Sequence, residues 1–266
     1  VPERAIGVFD SGVGGLTVLK ELRRQIPGEK LIYLGDTARV PYGTKSATTV
    51  LRYAHEAARF LLEQKVKLLV VACNTASAVA LEGLVEAYQV PVVGVIEPGA
   101  RRAIEVSVNG RIGVVGTEGT IRSGAYERAL RRERADVVVH TAACPLFVPL
   151  AEEGWAGHEV ARLTAREYLA PLLAEGIDTL VLGCTHYPLI KPMLQEIVGP
   201  QVRLVDSAQE TAKAVAAQLK THRLQGQGQP VSTPRYFVTD IPDRFERVGG
   251  AFLGEPLQGV TTVSLD

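Results

Sequence analysis

The sequence predicts an α/β protein made of two similar doubly wound, mainly parallel-sheet domains, with a site between them. Three observations predict it. Near-continuous Val/Ile/Leu runs of strand length alternate with segments of helical spacing, the pattern of parallel strands buried on both faces. The order of runs in the first half recurs, at low similarity, in the second. Two cysteines, Cys73 and Cys184, stand 111 positions apart at equivalent places in the two series, each after an aliphatic run and before a hydroxyl-bearing turn. Residues 1–97 plus 208–266 are assigned to a first domain and 98–207 to a second, related by pseudo-twofold symmetry.

The elements follow in order. Ile6–Ser11 is the first strand and Leu16–Leu22 opens a helix behind it; Leu31–Leu34 is the second strand, and Tyr53–Leu62 has helical spacing. Leu69–Ala72 is the third strand, ending at Cys73, and Pro91–Ile96 is the fourth. The second half repeats the series as Ile112–Thr117, Val137–His140, Leu180–Gly183 ending at Cys184, and Gln201–Asp206. A helix is expected over Thr211–Leu219, and an exposed turn or linker over Gln225–Pro230, where Gly and Pro interrupt polar residues. A strand (Arg235–Thr239), a short helix (Arg244–Phe252) and a last strand (Val260–Leu265) form a tail too short to stand alone, expected to extend the first sheet.

Composition excludes several classes. Lys plus Arg equals Asp plus Glu at 29 each over 266 residues, so no global field favours nucleic acid or an anionic membrane. The basic run Arg128–Arg134 alternates with Glu and Ala and reads as a solvated helix face. The longest apolar runs are strand-sized, so no membrane span is expected. The N-terminal residues enter the first strand without the basic and apolar segments of a signal peptide. Three cysteines with no CxxC pair argue against a disulfide scaffold and for a reducing, cytoplasmic setting. No HExxH or other ligand spacing marks a metal site.

Chemistry is expected where the strands end, because ligands of open α/β sheets bind outside the carboxyl edge. Asp10-Ser11-Gly12-Val13-Gly14-Gly15 follows the first strand. Its glycines suit an anion cradle at a helix start, but Thr17 breaks GxGxxG and no GK[ST] follows, so a carboxylate fits better than a nucleotide. Asp10 can charge-tune a neighbour there. Cys144, in Ala-Ala-Cys-Pro, reads as an inert buried thiol. Cys73 and Cys184 differ in preceding polar turns at helix starts, where a thiol pKa falls toward neutrality. His186 is either a hydrogen-bonded structural residue or a partner to the Cys184 thiol. Arg39-Val40-Pro41-Tyr42-Gly43 is either a plain turn or a shaped loop at the same edge, and Glu152 and Glu153 taken alone read as solvated charges. Two thiols facing one carbon suit removal of a proton from one face and its return on the other. A single-cysteine nucleophile and a two-lobed metabolite receptor remain as alternatives.

Four segments resemble the glutamate racemase family: Phe9–Val18, Val40–Gly43, Ala72–Ser77 and Gly183–Pro188, in order and along essentially the whole chain. The resemblance implies cofactor-independent interconversion of L- and D-glutamate for peptidoglycan synthesis, in a cytoplasmic homodimer. It implies Cys73 and Cys184 as the proton donor/acceptors, supported by Asp10, Glu152 and His186. It implies substrate contacts from Asp10, Ser11, Tyr42, Gly43, Asn74, Thr75, Thr185 and His186, with Thr117 added as the second-half counterpart of Ser11.

Overall fold

A computed structural model describes residues 1–226 and 233–265. Residues 227–230 of the expected linker lie outside the described residues. The first half runs β1 (Ile6–Asp10), α1 (Leu16–Gln25), β2 (Leu31–Gly35), α2 (Ala47–Glu63), β3 (Leu68–Val71), α3 (Asn74–Ala87), β4 (Val92–Gly94) and α4 (Ile96–Val106). The second half begins with β5 (Arg111–Gly116), α5 (Glu118–Arg122), α6 (Ala125–Glu133), β6 (Val138–Ala143) and α7 (Phe147–Glu152). It continues with α8 (Glu159–Ala174), β7 (Thr179–Gly183), α9 (Lys191–Val198) and β8 (Arg203–Asp206). Then α10 (Ser207–Thr221) leads to β9 (Arg235–Val238), α11 (Pro242–Leu253) and β10 (Val260–Thr262).

Among the described residues all strands pair in parallel, in two sheets. One has the order β10-β9-β2-β1-β3-β4, the other β6-β5-β7-β8. The tail thus adds β9 and β10 beyond β2, as its short apolar runs predict. Without them the first sheet reads β2-β1-β3-β4, the same order as the second.

Burial explains which strands are central. All five residues of β1 are buried, as are those of β2, β3 and β7. These strands carry no alternation because helices cover both faces. Gly7 lets β1 pass under α2, since a Cβ there would press within 3.1–3.2 Å of Val66 and Leu61. Local signals set helix starts: Ser46 Oγ accepts Thr49 N–H at 3.2 Å before α2, and Thr117 Oγ1 accepts Thr120 N–H at 3.2 Å before α5. Each satisfies a donor the first helical turn leaves unpaired.

One apolar cluster joins the halves. It runs from Ile6, Val8 and Leu16 through Ala100 and Ala103 of α4 to Ile112, Val181 and Val205, with Ala212 and Val215 of α10 included. Helix α10 packs on both α1 and α4.

Several expectations needed adjustment. The fourth strand is only Val92–Gly94: Val95 turns to αR, and α4 starts at Ile96 rather than after it. The second strand of the second half is shifted to Val138–Ala143. The last strand stops at Thr262, an exposed edge that pairs only with β9. Cys73 does open a helix, α3. Cys184 instead precedes a single 3₁₀ turn, Tyr187–Ile190, because Pro188 and Pro192 delay the helix to Lys191.

Candidate active site

The carboxyl ends of β1, β3, β5 and β7 bring the expected residues together. The chain reverses its direction of strand addition between β1 and β3 in the first sheet and between β5 and β7 in the second, the crevice where open α/β sheets bind ligands. Asp10 and Cys73 flank that crevice in the first sheet, Thr117 and Cys184 in the second. Both thiols are nearly buried, at 5% and 6% exposure, and they are close enough that charge on Cys184 raises the pKa of Cys73.

The two halves meet residue against residue. Thr75 Oγ1 lies 2.9 Å from Thr117 Oγ1 and 3.2 Å from Thr120 Oγ1. Thr17 donates to Thr185 O at 3.2 Å, Thr185 donates to Asp10 Oδ1 at 3.3 Å, and Tyr126 donates to Asn74 Oδ1 at 2.7 Å. Gly14 is required by this approach: a Cβ there would collide with Thr185 Oγ1 and stand 2.5 Å from His186 Nδ1. Gly43 is required likewise, its missing Cβ leaving room for Thr117.

The thiols have different surroundings. Cys73 Sγ lies 3.8 Å from Ser11 Oγ, and the backbone N–H of Ala76 at the start of α3 acts to lower its pKa. Burial and the nearby Asp10 carboxylate nevertheless push it up to about 12. This corrects the expectation of a helix-lowered pKa, because desolvation outweighs one backbone donor here. Cys184 Sγ instead has His186 Nδ1 at 3.8 Å. The other ring nitrogen of His186 meets Glu152 Oε1 at 2.9 Å, and Glu152 Oε2 accepts from Arg244 at 3.0 Å. Burial alone would lower the His186 pKa; hydrogen bonds to Cys184 and Glu152, and the charges of Cys184 and Asp10, instead lift it to about 10. Glu152 is held below its ordinary value, because the His186 bond and the charges of His186 and Arg244 overcome burial.

Asp10 is fully buried, and that burial raises its pKa against the opposing His186 charge and the N–H groups of Gly12 and Gly15. Its Oδ2 accepts Gly12 N–H at 2.9 Å, and Tyr33 OH fixes the loop by donating to Gly12 O at 2.8 Å. Asn74 Nδ2 is buried with no partner, a donor whose cost is recovered only when something accepts from it. Tyr42 lines the same region, but its hydroxyl is bound to Asp36. Asp36 also accepts from Arg39 Nε at 2.7 Å and Thr239 Oγ1 at 2.9 Å. The Arg39–Gly43 segment is therefore a shaped loop rather than a plain turn.

Every sequence-predicted residue lies in this region, while Glu153 is exposed and Cys144 is buried in the core behind α7. Sequence reasoning missed Thr120, Tyr126, Asp36, Arg244 and Phe252, whose ring stands edge-on to His186 at 5.3 Å. Thr117-x-x-Thr120 carried a capping signal; the others are brought in by tertiary contacts. Among the described residues, no group of three or more His, Cys, Asp or Glu could hold a metal ion, and no helix is long and apolar enough to cross a membrane.

Comparison with known proteins decides the family. A model of Asp/Glu/Hydantoin racemase matches residues 6–215. The chain belongs to that family. It is 60% identical over 266 residues to a glutamate racemase of Geobacter metallireducens, covering 100% of this chain and 98% of that one. A glutamate racemase structure from Bacillus anthracis superposes with TM-score 0.96 at 41% identity, covering 100% and 99% of the two chains. One from Francisella tularensis, in complex with D-glutamate, superposes with TM-score 0.92 at 39% identity over 100% and 99%.

Proposed function

We propose that this chain interconverts L- and D-glutamate without a cofactor, by proton transfer at Cα between Cys73 and Cys184. The observation that carries the reading is that two nearly buried thiols at the carboxyl ends of the two sheets have different neighbours, Ser11 beside Cys73 and the Glu152-held His186 ring beside Cys184. Cys73, pushed up to about 12, is kept as a proton donor. An imidazolium beside Cys184 Sγ, anchored by Glu152, is the partner a sulfur anion needs. A two-base inversion requires one acid and one base at the same moment.

The step balances without an external reagent. The Cys184 sulfur takes the Cα proton from one face, the C–H electron pair passes to carbon and the α-carboxylate, and the Cys73 thiol returns its proton to the other face. The reverse reaction runs through the same groups with roles exchanged. The α-proton is far less acidic than a thiol, so stabilisation of the developing carbanion must supply most of the rate. The Asn74 amide and the hydroxyls of Ser11, Thr75, Thr117 and Thr185 are suited to the substrate carboxylates, and Asp10 to the α-ammonium. Glycines 14 and 43 let the halves close tightly enough to exclude water.

The family membership and the glutamate racemases among its relatives support glutamate as substrate. A cytoplasmic homodimer that supplies D-glutamate for peptidoglycan is part of the same proposal. Residues 1–97 with 208–266, and 98–207, are proposed to act as the two bodies that open for substrate and close on it. The test is incubation of L-glutamate in deuterated water with no additive. D-glutamate carrying deuterium at Cα is expected, and Cys73→Ala or Cys184→Ala should abolish it. Full activity in either variant sinks the two-thiol mechanism.

A further inference from the structure

Arg244 lies on α11, which belongs to the tail of the six-stranded sheet, yet its guanidinium reaches across to Glu152 on α7 of the other half. The contact joins residues 92 positions apart. Glu152 has one oxygen on His186 Nε2 at 2.9 Å and the other on Arg244 Nη2 at 3.0 Å, so both ends of the carboxylate are fixed. A chain of contacts therefore runs Arg244–Glu152–His186–Cys184. Among the described residues no comparable chain of contacts touches Cys73, whose neighbours are Ser11, Asp10 and the start of α3.

We infer that Arg244 is a positioning residue for the Cys184 side of the site: with the cleft closed, it clamps the Glu152 carboxylate in the orientation that holds the His186 ring against the thiol. The inference deepens the racemase reading and rests on it. The pair spans the two halves, so opening the cleft breaks it and frees Glu152. Closure and the support of the Cys184 partner are then one event. Arg244 is half exposed, its side chain 51% accessible against 18% for Glu152. Substitution of Arg244 should therefore leave the fold intact and cost a modest factor, about fivefold, as expected of an ion pair open to water.

The kinetic signature is specific. Enantiomers are equal in energy, so any variant must lower kcat/KM equally in the two directions, and rates alone cannot locate the effect. Substrate isotope effects can. Raising only the barrier at Cys184 should increase the effect with 2-deuterated substrate in the direction where Cys184 removes the proton. In the other direction it should fall toward one. The experiment compares wild type, Arg244→Ala and Arg244→Lys with 2-deuterated L- and D-glutamate, and repeats Arg244→Ala in a Glu152→Gln background, with thermal unfolding as the fold control. Expected are diverging isotope effects in Arg244→Ala, substantial recovery in Arg244→Lys, and little further loss once Glu152 is neutral. Isotope effects that stay paired, or the same loss in the Glu152→Gln background, overturn the inference. A wild-type chain that does not racemise glutamate overturns the underlying reading instead.

Discussion

At the scale of single residues, the site is asymmetric where the sequence is nearly symmetric. The two cysteine motifs are near-copies, but one thiol faces Ser11 and Asp10 and the other a histidine held by a carboxylate. The pKa of His186, raised from 6.5 to about 10, makes a pH prediction with a definite sign. A group whose pKa is raised on folding binds its proton more tightly in the native state. Its contribution is therefore complete below about 6.5 and lost as pH rises through about 10. The Tm advantage of wild type over His186→Asn should shrink between those limits; a constant gap would refute the assignment. Gly14 offers a second test. The methyl of Gly14→Ala must displace Thr185 or His186, so kcat/KM should fall by about 100-fold, the cost of misplacing reacting groups by about 1 Å. Glutamate turnover measured on a protein of near-unchanged Tm checks this, and retained turnover would show that the wall can give way. Glycine at this place was visible in the sequence, but what it makes room for was not, because Thr185 and His186 come from the other half.

At the scale of elements, the strand order places chemistry at one edge and stability at the other. Opposite the site, before β2 and β3, Lys67 Nζ donates to Glu29 Oε2 at 2.5 Å and to Pro2 O at 2.5 Å, while Glu29 Oε1 accepts from Gly226 N–H at 2.7 Å. Lys67 is 2% exposed and Glu29 8%. This cluster ties together the N-terminal residues, two strand entrances and the segment after α10. Lys67→Met leaves Glu29 buried without its cation, a loss of about 3 kcal/mol. Removing both charges by Lys67→Met with Glu29→Gln should recover part of it. Denaturant unfolding of the three proteins checks the order, and activity per folded molecule should stay at wild type, since the cluster is remote from the crevice. If the double variant were no more stable than Lys67→Met, the account of the pair would fail. Sequence reasoning found the strands but not this cluster. Aliphatic runs declare themselves locally, whereas an ion pair 38 positions apart exists only once β2 and β3 flank β1.

At the scale of the whole molecule, the halves are legible in the sequence because each repeats four strands in the same order. Their mutual placement is less so, since it rests on scattered contacts such as Tyr126–Asn74 and Thr75–Thr117. Those contacts close the crevice over two thiols that are only 5% and 6% exposed. A thiol reagent therefore needs the molecule to open. Labelling of Cys73 and Cys184 should become independent of reagent concentration once opening is limiting, and glutamate should protect both. Cys144, fully buried among the side chains of Val115, Phe147 and Leu182, should label only on unfolding. Tyr126→Phe removes the hydrogen bond to Asn74 Oδ1 in the closed form, while water solvates that oxygen in the open form. Opening should become easier by about 1 kcal/mol, the net worth of such a bond, and labelling of both crevice thiols faster by about fivefold. Mass spectrometry of labelled peptides reads all three cysteines at once. Acceleration confined to Cys73, next to Asn74 in the chain, would mean that Tyr126 fastens only the start of α3 and does not hold the halves together. Equal acceleration at Cys73 and Cys184 requires both thiols to be uncovered by one motion of the two halves, the motion that a substrate entering between them would use.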